Sequence, residues 1–154
     1  ENVERLYQGK RESQERLHLP TIAAEWGAFP SKGFTNDLIA HMNGIIEKNL
    51  WGSAYCEYHP GMESDPNFTA LRRAYPMETA GILKHYHYDR EGRTLTITYD
   101  AADDGETVLY LPFVPGSFSA DQPFSHWEQP VGSGSCLCIV RKETPGEITL
   151  GVNA

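Results

Sequence analysis

The sequence predicts two structural classes in one chain, an α/β segment followed by an all-β domain. Three observations predict this. Two short apolar runs, residues 21–26 and 50–56, flank a helical apolar stripe, which is the grammar of βα units. From Ala80 onward short strand-like runs recur between turn residues, with no helical stripe among them. The 14 glycines and 10 prolines make up about a sixth of the 154 residues, against roughly one in eight ordinarily, so many turns are expected. A hydrophobic fraction of 40 % is ordinary for a globular chain. The net charge of −8 disfavours nucleic acid or an anionic membrane surface as partner. No apolar run approaches the roughly 18 residues a membrane-spanning helix needs. The chain begins at Glu1 without Met or a basic-then-apolar leader, so its natural N-terminus is expected elsewhere.

Taken in order, residues 1–17 are polar and place Val3, Leu6 and Tyr7 on one helical face; Pro20 then breaks the chain. Residues 21–26 form an apolar run without alternation, as a parallel strand buried on both faces requires, with Glu25 near its far end. Residues 27–33, with Pro30 and two glycines, read as a loop. A helix is expected from an N-cap at Thr35 or Asn36, with Leu38, Ile39, Met42, Ile45 and Ile46 as its apolar stripe and Asn49 as C-cap. Residues 50–56 are the second short strand. A polar connector at 61–67 follows, and the boundary falls between 60 and 75. Strands are then expected at 82–88, 94–99, 107–111, 136–141 and 147–152, with hairpin turns at 89–92 and 101–105. Five or more such strands suggest an antiparallel β-sandwich.

Glu25 is the most informative position. A carboxylate at the C-terminal end of a parallel strand sits where βα folds place active sites, and its apolar neighbours would make it a buried, costly charge. Catalysis and a structural salt bridge both remain open. Cys136 and Cys138 share one strand face, Cys56 stands alone, and an odd cysteine count argues against a disulfide scaffold. Asn67-Phe-Thr69 is a glycosylation sequon. His85 and His87 share a strand face, but without a third ligand nearby, packing opposite Tyr86 and Tyr88 is favoured over metal binding; His18, His41, His59 and His126 show no ligand spacing. Ser133-Gly-Ser135 lacks the strand-turn-helix context of a nucleophile elbow. Phe124 and Trp127, among prolines, are expected in a loop packed on the sandwich, or as an exposed aromatic lip.

Pro20-Thr-Ile-Ala-Ala-Glu-Trp-Gly-Ala-Phe29 resembles the strand-seven segment of family 5 glycoside hydrolases, where a Glu-aromatic-Gly triplet presents the nucleophile. Residues 50–58 are similar to their eighth strand. Leu71-Arg-Arg-Ala-Tyr-Pro76, Ala80-Gly81 and Thr107-Val-Leu-Tyr-Leu-Pro112 resemble elements following the barrel in endoglycoceramidases, with Arg73-Ala74 in place of Arg-Pro. The resemblance implies the last two βα units of a TIM (β/α)8 barrel at 1–65 and a C-terminal β-sandwich at 66–154. A whole barrel, at about 250 residues, does not fit. It further implies retaining hydrolysis of the bond between glycan and ceramide, with Glu25 as nucleophile and no cofactor or metal, since two carboxyls suffice. Trp26, Trp51, Tyr55 and Glu57 are the implied substrate-binding residues. Cys56 stands where the family has a Trp that floors the sugar site, so stacking falls to Trp51, Tyr55 or Tyr58. Glu57 is positioned either for a sugar hydroxyl or as a solvated rim carboxylate.

The family carries its acid/base in an Asn-Glu pair on strand four, and no such pair follows residue 20. The N-terminal remainder of the barrel, as a second chain or a missing segment, is therefore the expected partner, beside a glycolipid or oligosaccharide substrate. A secreted or lumenal location is expected. The rival reading is a non-catalytic β-sandwich module binding carbohydrate or protein; it leaves Glu25 in its apolar strand unexplained.

Overall fold

The computed structural model describes residues 2–28, 33–102, 105–132 and 134–154. Phe29 and Pro30 of the expected loop, the middle of the expected turn at 101–105, and Ser133 lie outside the described residues. The chain divides into two units, Glu1–Leu71 and Arg72–Ala154.

In the first unit, α1 (Asn2–Leu17), β1 (Ile22–Trp26), α2 (Thr35–Asn49) and β2 (Gly52–Tyr55) precede a 3-10 turn (Met62–Ser64) and one helical turn, α3 (Phe68–Leu71). Strands β1 and β2 pair in parallel, Ile22 opposite Gly52 and Trp26 opposite Tyr55. The apolar stripe of α2 is buried at Ile39, Met42, Ile45 and Ile46, whereas Leu38 stays 37 % exposed. Met42, Ile45, Ile46 and Trp51 form one cluster, with Tyr7 and Trp26 packed against it. Tyr7 of α1 thus reaches the core, while Val3 and Leu6 are exposed.

Three local expectations are corrected here. Phe34 caps α2 with no side-chain bond; its carbonyl already accepts from Leu38 N–H at 3.0 Å, so Thr35 is the first helical residue. Leu50 takes the left-handed conformation (φ 54°) past the helix end, where it and Trp51 donate to Glu47 and Ile46 carbonyls, while the Asn49 amide donates to the Ile45 carbonyl at 2.8 Å. Strand β1 is not buried on both faces: Ile22 is 62 % exposed, and Ala24 and Glu25 are exposed too. Among the described residues β1 pairs only with β2.

The second unit is two four-stranded antiparallel sheets. Its strands are β3 (Tyr75–Glu78), β4 (Gly81–Asp89), β5 (Thr94–Ala101), β6 (Thr107–Leu111), β7 (Ser117–Ala120), β8 (Phe124–Pro130), β9 (Cys136–Lys142) and β10 (Gly146–Asn153). The sheet orders are β4-β5-β10-β7 and β3-β6-β9-β8. Strict alternation buries Leu95, Ile97 and Tyr99 on β5, Leu109 and Leu111 on β6, and Ile148, Leu150 and Val152 on β10. Ile97 lies opposite Leu150 and Tyr86, so one apolar row crosses three strands. Cys136 and Cys138 point the same way into this interior, both free thiols and both buried.

At residues 89–92 the hairpin turn is present: the Asp89 carboxylate accepts from the backbone N–H of Glu91 and Gly92 at 3.0 and 3.1 Å. Strands β5 and β6 do not pair with each other; they lie in different sheets. Phe124 and Trp127 belong to a strand, β8, at the edge of its sheet, and not to a loop.

Candidate active-site pocket

Glu25 sits next to last on β1, and the parallel pairing brings the end of β2 alongside it. The Cys56 N–H donates to the Trp26 carbonyl at 2.6 Å, extending the strand contact one residue past β2. Gly27 permits this approach, since a Cβ there would run into the Cys56 carbonyl oxygen. The peptide bond between Cys56 and Glu57 is cis. Beyond these strand ends lies a pocket of about 490 Å³. The strand-end residues 25–28 and 55–57 form one wall, and the other holds His59, Met62, Asp65 and Asn67 from the segment leading to α3.

The expected buried charge at Glu25 is not found: the side chain is exposed, because the outer side of β1 opens on the pocket. Among the described residues no cation pairs with it. Its neighbour on the pocket wall is Cys56, whose side chain is exposed. Local desolvation, and then the charges of Glu25 and Glu57, push that thiol's pKa up.

Tyr55 braces the pocket wall. Its hydroxyl donates to the Ala28 carbonyl at 3.1 Å and accepts from Ala28 N–H at 3.3 Å and from the Asn67 amide at 3.4 Å. Trp26 meets its ring edge-on at 5.1 Å. On the opposite wall the His59 Nε2 faces the Asp65 carboxylate at 2.9 Å, while Nδ1 lies 3.3 Å from the Pro60 carbonyl. First that carbonyl and then Asp65 raise the His59 pKa.

Glu25, Trp26, Tyr55 and Glu57 are therefore gathered at one pocket. Trp51 is not: it is 5 % exposed, tilted against Tyr7, and its indole N–H donates to Gln14 at 2.7 Å. It belongs to the core between α1 and α2, so any stacking surface here comes from Trp26 or Tyr55. Tyr58, 79 % exposed, does not line the pocket. His59, Asp65 and Asn67 were not expected here as pocket residues. The sequon asparagine is 3 % exposed and committed to Tyr55, a poor acceptor for a glycan in the folded chain.

A second hollow of similar volume lies between α1 and α2, walled by Tyr7, Arg11, His41 and Lys48; no strand end opens on it. Among the described residues no group of three or more His, Cys, Asp or Glu side chains is gathered for a metal ion, and no helix is long and apolar enough to cross a membrane.

Residues 73–152 match the model of the glycoside hydrolase family 5 C-terminal domain. Among solved structures, endo-glycoceramidase II from Rhodococcus sp. bound to a five-membered iminocyclitol superposes with a TM-score of 0.77 at 20 % identity, covering 98 % of this chain and 37 % of that one. The lactosyl-enzyme intermediate of the same protein gives 0.74 at 20 %, with 96 % and 36 % covered. Sterylglucosidase 1 of Cryptococcus neoformans, with tris, gives 0.65 at 15 %, with 97 % and 31 % covered. This chain thus spans about a third of the length of the solved structures it resembles, and at these identities the likeness is one of fold. No curated protein matches.

Proposed function

The chain belongs to glycoside hydrolase family 5 through its C-terminal domain, and from that premise we propose that it is the C-terminal part of a retaining endo-β-glycosidase acting on the glycan–ceramide bond of glycosphingolipids. The β1-α2-β2 unit is on this reading the end of a (β/α)8 barrel, whose active sites open at the C-terminal ends of the strands. The observation that carries the proposal is Glu25: a carboxylate at such a strand end, without a cationic partner among the described residues, facing a pocket walled by aromatic and polar side chains.

In the mechanism Glu25 attacks the anomeric carbon as the aglycone oxygen leaves, and water later cleaves the glycosyl ester. A second carboxyl about 5–5.5 Å from the nucleophile protonates the leaving oxygen and afterwards activates the water. That group and the first six βα units are assigned to the remainder of the barrel, in keeping with the third of the relatives' length spanned here. No metal or cofactor enters this mechanism. A secreted or lumenal setting is part of the same proposal. The sterylglucosidase likeness points to a second aglycone, a sterol, for the same chemistry.

The test is Glu25→Gln in the assembled enzyme, this chain together with the rest of its barrel. Turnover of a glycosphingolipid is expected to fall by at least about a hundredfold with the melting temperature unchanged or higher, as for other active-site carboxylates. A mechanism-based fluorosugar is expected to label Glu25 alone. Label on another residue, or activity above about a hundredth of wild type, refutes the assignment.

A further inference from the structure

The two sheets of the second unit end in four edge strands, and three of these carry devices that keep foreign strands away. Edge strand β3 contains Pro76 and a shift of register beside it. In β4 the register also shifts, between Leu83 and His85, with Lys84 at the irregularity. Strand β7 is only four residues long. Strand β8 differs on each count. It runs for seven residues, pairs one-to-one with β9 from Phe124 opposite Lys142 to Pro130 opposite Cys136, and has its proline only at the last position. From Ser125 onward it is exposed, and among the described residues no strand lies on its outer edge.

Register fixes what each side of β8 presents. His126 and Glu128 lie opposite Val140 and Cys138, both fully buried, and so stand on the inner side of the sheet. There the His126 ring meets Phe118 of β7, with 3.9 Å between centroids. Ser125, Trp127 and Gln129 alternate onto the outer side, and Trp127 is 45 % exposed. An inward carboxylate on an edge is itself a deterrent: a strand laid beside β8 buries Glu128 at a cost unless it brings a partner for it. A second β8 is such a strand. Antiparallel to its own copy and overlapping along its whole length, β8 sets Trp127 against its counterpart at the centre. Each Glu128 then faces the partner's His126, each Ser125 the partner's Gln129, and no carboxylate meets a carboxylate. We propose that β8 is a homodimerisation edge, which pairs with β8 of a second copy about a two-fold axis at Trp127 and joins the two β3-β6-β9-β8 sheets into one. Seven residues a side fall short of the roughly 20–30 of a standard interface, so the dimer is weak and concentration-dependent. Such pairing involves neither Glu25 nor the pocket, and stands or falls apart from the glycosidase reading.

Sedimentation equilibrium of the assembled enzyme, this chain together with the rest of its barrel, is the test. The wild type is expected to show a monomer–dimer equilibrium. Trp127→Lys and Trp127→Glu each set like charges against one another at the axis, and each is expected to weaken self-association at least about tenfold. Mixed in equal amounts, the two variants are expected to associate about as tightly as the wild type, because the introduced lysine then meets the introduced glutamate. Should the Trp127 variants not fold, the exposed positions Ser125 and Gln129 give the second arm. Ser125→Lys with Gln129→Lys is expected to weaken the dimer, whereas Ser125→Lys with Gln129→Glu keeps it. A wild type still monomeric at roughly 0.5 mM overturns the homodimer, β8 then being bare or covered by the rest of the barrel. A dimer indifferent to both sets of variants is held together elsewhere, and a mixture that fails to recover places no two-fold axis at Trp127; either result overturns the pairing.

Discussion

His59 is where the pocket meets solution pH. The Pro60 carbonyl and the Asp65 carboxylate favour its protonated form, so its pKa stands above the ordinary value of about 6.5. A raised pKa of this kind contributes stability in full below the unfolded value and loses it as pH rises through the folded value. The wild type is therefore expected to out-melt Asp65→Asn below about pH 6 and to lose that margin as pH rises above the ordinary histidine value. Melts of both proteins across pH, with an NMR titration of His59, check this; a margin that grows with pH contradicts it. Residue by residue, chemistry was legible where one-dimensional context was distinctive. Glu25 stood out as the sole carboxylate near the end of an apolar run, and β1 places it at a strand end. Asn67 did not stand out, because its bond to Tyr55 spans 12 positions and passes through a loop without periodicity. Trp51 misled for a related reason: a tryptophan one residue before β2 reads the same whether it faces a ligand or, as found, Gln14 and Tyr7.

Among the elements, the central strands and the long edge strand β4 were legible and the other edges were not. Strands β5, β6, β9 and β10 alternate because one face is sealed, and burial leaves its period in the sequence. Strands β3, β7 and β8 lie at sheet edges, and β8 exposes every residue after Phe124, so no alternation marked it. Crossovers between sheets are likewise invisible in a turn motif, so nothing in the sequence told that β5 and β6 lie in different sheets. The β1–β2 pair offers a test of its own. Gly27→Ala is expected to destabilise by roughly 1–3 kcal/mol, since the Cβ meets the Cys56 backbone, which has no soft way to move aside. Gly44→Ala, inside α2 with nothing within 4 Å of the added methyl, is expected to stabilise by about 1 kcal/mol. Thermal melts of the two variants give opposite shifts; a neutral Gly27→Ala disposes of the close-approach account.

For the molecule as a whole, the second unit carries its own interior. Tyr99, Phe113, Leu109, Leu111, Ile148 and Leu150 are each at most 1 % exposed within Arg72–Ala154. That piece is expected to fold alone, marginally for its length, with a strand-type circular dichroism spectrum and a cooperative melt; a helical or non-cooperative profile refutes it. The first unit lacks such closure, with Leu6, Leu17, Leu19, Ile22 and Phe34 more than half exposed. The three thiols have a further consequence. Cys56 is open to solvent, whereas Cys136 and Cys138 are sealed in the sandwich, where burial pushes the Cys138 pKa up to about 12. The chain therefore carries an internal clock for its own opening. A thiol reagent at mildly alkaline pH is expected to add one label per native molecule and three per unfolded one, with the second and third arriving together at the rate of global unfolding. Time-resolved mass spectrometry reads that rate with no introduced probe, and a doubly labelled species that accumulates under native conditions would show that the two sheets part before the sandwich unfolds.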